Sequence, residues 1–189
     1  MHHGRASSIP PFVRLAASFL LVAVVWLAPG AVRGDGLAWT RYESQTGRFR
    51  VLLPAPPLAT SGVFKTRAGS VPEVGVETET ADLVLKVEHH DLPRLACLLL
   101  PDQRILEFAT SGLLDDRHGR LESEQRTFFQ GHPGRTLRYA RTDLGGRPEE
   151  ARLVLVGQRL YIAVARADGA SDAREQIARF FDSFEFWED

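Results

Sequence analysis

Apolar residues along this chain follow three rhythms, and each predicts a different element. Residues 15–27, Leu-Ala-Ala-Ser-Phe-Leu-Leu-Val-Ala-Val-Val-Trp-Leu, form one continuous apolar run. Period-two alternation then predicts strands at residues 39–42 and 48–53, with Gln45-Thr46-Gly47 as the turn and Pro54-Ala-Pro-Pro57 as the stop. A meander of three more strands is expected at residues 62–67, 73–80 and 82–90, separated by Ala68-Gly69-Ser70 and a tight turn near Ala81. Pro93 ends the last of these and leads to Pro101.

A helical rhythm takes over at residues 102–118, where Ile105, Phe108, Ala109, Gly112 and Leu113 share one face. Asp102 reads as its N-cap, Arg117 and His118 suit the last turn, and Gly119 suits a left-handed cap. Strands are then expected at residues 121–129 and 135–142, with Pro133-Gly134 as the central pair of a type II turn. Two more follow at residues 150–156 and 159–166, joined through Gly157-Gln158. In these last two both parities are apolar: Leu153 and Leu155 against Val154 and Val156, then Leu160, Ile162 and Val164 against Tyr161, Ala163 and Ala165. A strand apolar on both sides must be covered on both sides. A closing helix at residues 171–183 supplies one cover, with Asp172 and Glu175 in capping-box register and Ala173, Ile177, Phe180 and Phe184 along a stripe. The order predicts an α+β domain with a largely antiparallel sheet packed between helices.

The continuous run changes the picture of where this domain works. Arg5 and Arg14 precede it, and Ala28-Pro29-Gly30 then Val32-Arg33-Gly34 follow it, the layout of an export signal cleaved after Gly30 or Gly34. The competing reading is an uncleaved membrane anchor, because a spanning helix needs roughly 17–25 apolar residues. Pro29-Gly30 interrupts the run and favours cleavage. Residues 1–34 are thus expected to be a signal peptide and residues 35–189 one domain, periplasmic or secreted, or N-terminally anchored if the signal stays. Leu95-Ala96-Cys97 imitates a lipobox but has no export core before it.

Removing 34 of the 189 residues leaves 155, with 20 basic and 24 acidic side chains, a net charge of −4. Such a balance argues against a nucleic-acid or anionic-membrane partner. Arginine supplies 21 of the 23 basic residues and there is no asparagine, so there is no N-glycosylation sequon. The single Cys97 permits no intrachain disulfide, and its apolar surroundings predict a buried small hydrophobe.

Four stretches in order carry a resemblance: Phe49-Arg-Val-Leu-Leu-Pro54-Ala-Pro56, Gly131-His-Pro-Gly134, Gly157-Gln-Arg-Leu-Tyr161-Ile-Ala-Val164 and Arg179-Phe-Phe-Asp-Ser183-Phe184. Together they resemble small exported bacterial domains of the PsbP-like α/β/α sandwich type, over most of residues 39–187. The resemblance implies that fold and no catalytic set. Plant photosystem members of the fold assist a metal cluster as extrinsic subunits, and no residue pattern here carries that role over.

The chemically suggestive stretch is Glu88-His89-His90-Asp91. Alternation on a strand places Glu88 and His90 on one face and His89 with Leu83, Leu85 and Val87 on the other, so the four do not converge on one ion. The expectation is a buried or half-buried His89 with solvated Glu88 and His90; the alternative is a metal site of Glu88, His90 and Asp91 completed by His118 or His132. A second candidate is the row Arg135, Arg138 and Arg141 opposite Glu122, Glu124 and Arg126, read as cross-strand pairing on a solvated face, or as a partner-docking or anion-binding surface. A third is the aromatic terminus at residues 180–187, read as core, or as an exposed peptide-recognition patch.

No nucleophile elbow, phosphate loop, zinc-protease helix, paired CxxC or dinucleotide fingerprint occurs. The sequence therefore predicts a non-catalytic exported module without a cofactor, binding a protein or envelope component. An envelope hydrolase or metal-binding protein using the cluster at residues 88–91 is the alternative.

Overall fold

The structure is a computed structural model and describes residues 38–66, 69–169 and 173–187. The apolar run expected to be an export signal, the expected cleavage positions and Asp172 of the expected capping box lie outside the described residues. Two antiparallel sheets organise the chain. Strands β1 (Thr40–Ser44), β2 (Phe49–Leu53) and β10 (Glu185–Phe186) form a three-stranded sheet in the order β1-β2-β10. The other seven are β3 (Leu58–Thr66), β4 (Gly69–Glu79), β5 (Leu83–Asp91), β6 (Gly119–Phe129), β7 (His132–Arg141), β8 (Arg147–Val156) and β9 (Arg159–Ala167). Their order is β3-β4-β5-β9-β8-β7-β6. After β5 the chain passes through helices α1 (Arg94–Leu99) and α2 (Asp102–Asp116) to the far edge, then meanders back until β9 pairs with β5. Helix α3 (Ala173–Asp182) precedes β10.

The double apolar parity of β8 and β9 is explained by two cores, one on each side of the large sheet. Leu83, Leu85 and Val87 join Val154, Tyr161 and Ala163 against Phe49, Val51 and Leu53 of the small sheet and Phe180 and Phe181 of α3. On the opposite side Leu137, Leu153, Leu155, Leu160 and Ile162 pack on Ile105, Leu106, Ala109 and Leu113 of α2. Leu106 and Leu153 are wholly buried, and truncating such a residue to alanine removes about 2–5 kcal/mol of stability. The fold is α+β, with the sheet held between helical layers and the small sheet sharing one layer with α3.

Three local expectations are corrected. The turn between β6 and β7 is Gln130-Gly131, since Phe129 pairs with His132 and the two loop residues have φ of 49° and 85°. Positive φ at both positions is the tight hairpin geometry. Pro133 and Gly134 are inside β7 instead. Pro133 stands beyond the stretch where β8 pairs with β7, where a missing N–H is tolerated. Gly134 is small because a Cβ there would lie 2.5 Å from the Leu153 carbonyl oxygen.

At the end of α2 the left-handed residue is His118, with φ 48°, and Gly119 already opens β6. Helix α2 is entered through Pro101, so Asp102 is its first residue and makes no side-chain cap; its charge still opposes the positive helix end. Helix α1 was not expected at all.

Candidate functional site

On β5 the predicted alternation holds, but the predicted solvation does not. Glu88 is 3% exposed, His90 0% and His89 6%. Glu88 and His90 point to the α2 side because β9 pairs them with Ile162 and Leu160, whereas His89 sits opposite Tyr161 on the small-sheet side. The His90 Nε2 lies 3.3 Å from Glu88 Oε1, and the ring packs on Phe64 with centroids 4.5 Å apart. Lys86 bridges two carboxylates, 2.5 Å from Glu88 Oε2 and 2.6 Å from Glu73 Oε1. Burial alone would raise the Glu88 pKa, but the His90 hydrogen bond and the Lys86 charge outweigh it and hold it at about 2. Glu88 is therefore ionised and occupied.

His89 meets the opposite fate. Burial, then the Arg159 charge, press its pKa to about 4, so it is neutral at neutral pH. Asp91 is turned to solvent at the strand end, where Arg159 grips it through two hydrogen bonds of 2.6 and 2.9 Å. His132 packs against Phe186, and the His118 carbonyl accepts from Thr142 at the far edge of the sheet. Among the described residues no group of three or more His, Cys, Asp or Glu side chains could hold a metal ion.

The three arginines of β7 do not form one surface. Arg135 is buried under α2, paired with Glu124 and Glu107 and donating to the Gln103 carbonyl at 3.2 Å. Arg138 points to the other side and is the exposed member, with Glu122 at 3.6 Å and Glu150 at 3.8 Å. Arg141 is clamped by Asp143 at 2.6 Å and by Glu149 at 3.3 Å. The even position of Arg138 puts it on the opposite face from Arg135 and Arg141, and those two are held six residues apart by different carboxylates.

Glu149 is the polar centre that sequence reasoning missed. It is 1% exposed, accepts from the Tyr139 hydroxyl at 2.8 Å, and faces Arg141 and Arg166 at 3.3 Å and Arg117 at 3.8 Å. Burial and this carboxylate both push the Tyr139 pKa up. The only signal for it was an acidic residue at an inward parity of β8, which reads like any strand-start glutamate. Cross-strand pairing with Tyr139 and Arg166 assembles it.

Of the C-terminal aromatics, three are core, Phe184 packs half-buried against them, and Trp187 is half-buried and lines a surface cleft. Phe180, Phe181 and Phe186 are buried, and Phe186 stacks on Tyr161 with ring centroids 5.4 Å apart. Cys97 is half-buried, and burial followed by the Asp102 charge raises its thiol pKa.

Clefts open among the described residues include a polar one lined by Arg48, Asp91, Arg159, Tyr161 and Trp187, and an apolar one where α1 and α2 meet the β3–β4 tip. Phe64, Val71, Leu92, Ala96, Leu100 and Phe108 are among its walls, no lining side chain titrates, and its empty space is about 550 Å3 with the open mouth included. Beside it Leu95, Leu98 and Leu99 stand 66%, 70% and 72% exposed on α1. His90 lies behind the Phe64 ring and is not among the lining residues.

No family model and no curated protein matches the chain. Among solved structures, the cyanobacterial PsbP (CyanoP) of Synechocystis sp. PCC 6803 is similar over 84% of this chain and 98% of its own, with 16% identity and a TM-score of 0.54. A protein of unknown function from Pseudomonas aeruginosa, PA94, described as a putative regulator, aligns over 74% of this chain and 90% of its own, with 13% identity and a TM-score of 0.37. The fold is PsbP-like. Among the described residues no helix is long and apolar enough to cross a membrane.

Proposed function

We propose that the protein is an exported, non-catalytic accessory module of the cell envelope or secreted fraction, and that it binds a partner through the apolar cleft between α1 and α2. The observation that carries this reading is the chemistry of the cleft wall. Hydrolysis or proton transfer needs a titratable group within hydrogen-bond reach of the substrate, and this wall offers carbon, with Thr66 and Ser70 as its polar side chains. The histidine–carboxylate pair of β5, His90 with Glu88, is enclosed behind Phe64. An open apolar surface beside exposed leucines is what a binding module presents. Export is supported by the apolar run at residues 15–27 and its Pro29-Gly30 exit.

The test places a photoreactive phenylalanine analogue at Phe108 in the native host. The expected result is a light-dependent adduct with one protein or envelope component, abolished by Ala96→Trp, which fills the cleft. Absence of any adduct, together with turnover of a small-molecule ester panel that His90→Gln abolishes, overturns the reading.

A further inference from the structure

The small sheet turns one face to the core and the other outward. Phe49, Val51 and Phe186 point in, so alternation sends Arg50 and Glu185 out, where β2 pairs Arg50 with Glu43 on one side and Glu185 on the other. These three line a polar cleft together with Trp187, with empty space of about 370 Å3, open mouth included. Trp187 also lines the larger polar cleft of Arg48, Asp91 and Arg159, about 720 Å3 on the same measure. The two clefts therefore meet at one indole.

Its backbone places that indole, because the Trp187 N–H donates to the Arg48 carbonyl at 3.1 Å. Every other aromatic of residues 180–187 has a ring neighbour: Phe180 with Phe181, and Phe184 and Phe186 with Tyr161. Trp187 has none among the described residues and is half-buried. A flat ring at the meeting point of two polar clefts suits a ligand with an apolar face and a polar edge. The side chains around it offer both senses of hydrogen bond. Arg48 and Arg50 carry donors, Glu43 and Asp91 accept, and the exposed Gln158 amide does both. Asp91 gives one bond from each oxygen to Arg159, at 2.6 and 2.9 Å, and is 68% exposed, so its remaining lone pairs face solvent.

Charge and backbone narrow the ligand. Three guanidiniums, Arg48, Arg50 and Arg159, stand among three carboxylates, Glu43, Asp91 and Glu185, so the groove is neutral in sum. A nucleic acid or other polyanion calls for a basic stripe instead. A peptide strand is recognised through main-chain groups, and three successive carbonyls of the β1–β2 turn are already taken. Thr46 accepts from Arg159 at 2.9 Å, Gly47 from the Tyr161 hydroxyl at 2.9 Å, and Arg48 from Trp187. A neutral sugar meets every condition: its C–H face stacks on the indole, while its hydroxyls donate to the carboxylates and accept from guanidinium and amide.

We propose that this groove is a carbohydrate-binding site for a neutral oligosaccharide, with one sugar on Trp187 and its neighbours in the two flanking clefts. The site shares no lining residue with the apolar cleft at α1 and α2, and it stands independently of the partner reading.

The test screens the purified protein on an array of neutral and acidic oligosaccharides beside an array of peptides, and titrates the strongest hit by calorimetry. The expected hit is a neutral oligosaccharide whose affinity is unchanged at high salt. Trp187→Ala weakens it about tenfold or more, the loss of one stacking platform. Gln158→Ala weakens it less and leaves the thermal midpoint unchanged, since the side chain is exposed. Ala96→Trp, which fills the apolar cleft, leaves sugar binding intact, so the two sites succeed or fail separately. Absence of any glycan signal overturns the proposal. So does a glycan whose affinity neither Trp187→Ala nor Gln158→Ala alters, or one that must be acidic and is lost at high salt, which assigns the groove to an anion. Capture of peptides alone, abolished by Trp187→Ala, overturns it in favour of a peptide site.

Discussion

Glu88 and His90 stand two positions apart on β5, in contact at 3.3 Å and closed off from water, so the pair that most resembles a catalytic or metal-binding motif is part of the packing. Its consequence is stability. Glu88→Ala strips Lys86 and His90 of their shared partner, leaving Glu73 alone to compensate Lys86. Breaking a buried ion pair from one side costs about 3–5 kcal/mol. Urea unfolding should show a loss near the lower end of that range, because Glu73 remains. A change within 0.5 kcal/mol or so would mean that the network is dispensable.

Acid should weaken the fold in two stages. His89 is pressed from 6.5 to about 4 in the folded state, so the unfolded chain binds its proton first and stability declines as pH falls from about 6.5 to about 4. Glu88 is held at about 2 against an ordinary 4.5, so its contribution is present above pH 4.5 and declines below it. Both signs agree: the protein is more stable at pH 7 than at pH 4. His89→Phe should flatten the upper stage while leaving the lower one, as read from denaturant midpoints across a pH series.

Arg135 and Arg138 should behave differently despite sharing a strand. Removing Arg135 empties a buried site between α2 and β6, and Arg135→Ala is expected to cost about 2–4 kcal/mol. Arg138 is 48% exposed and its ion pairs reach 3.6 and 3.8 Å, so Arg138→Ala should fall within about 0.5 kcal/mol. Equal effects from the two variants, measured by thermal unfolding, would refute their assignment to opposite sides.

Gly134→Ala offers a direct check on the β6–β7 hairpin. An added Cβ collides with the Leu153 carbonyl, and such overpacking costs about 1–3 kcal/mol. Gly131→Ala meets no atom but is forced to a φ of 85°, at about 1–2 kcal/mol. Amide exchange distinguishes them. Gly134→Ala should loosen β7 against β8, whereas Gly131→Ala should affect the tip.

The sequence made the strands of the large sheet legible because parity is a local property: Leu153 and Val154 disclose two covered sides without reference to any partner. Helix α1 was hidden for the converse reason. Leu95, Leu98, Leu99 and Leu100 are apolar in both directions, and the run between Pro93 and Pro101 shows no contrast from which a period can be read. At the candidate site, alternation correctly separated His89 from His90. It could not show that Glu88 and His90 are enclosed, because that depends on Phe64 of β3 and on the layer carrying α2. Glu149 was likewise invisible, since its partners come from the residue that caps α2 and from β7 and β9.

The pairing of β5 with β9 has a consequence for the order in which this protein can acquire its shape. Leu83 must wait for Ala167, and His89 for Tyr161, while β2 completes its sheet with Glu185 and Phe186 near the very end. A nascent chain made N-terminus first thus carries its central strand paired with β4 on one edge only, the other edge open until most of the polypeptide exists. Long-range pairing of this kind makes folding slow and late. A chain truncated after Val156 should show no cooperative unfolding transition. The topology itself postpones the folded state until translation is nearly over.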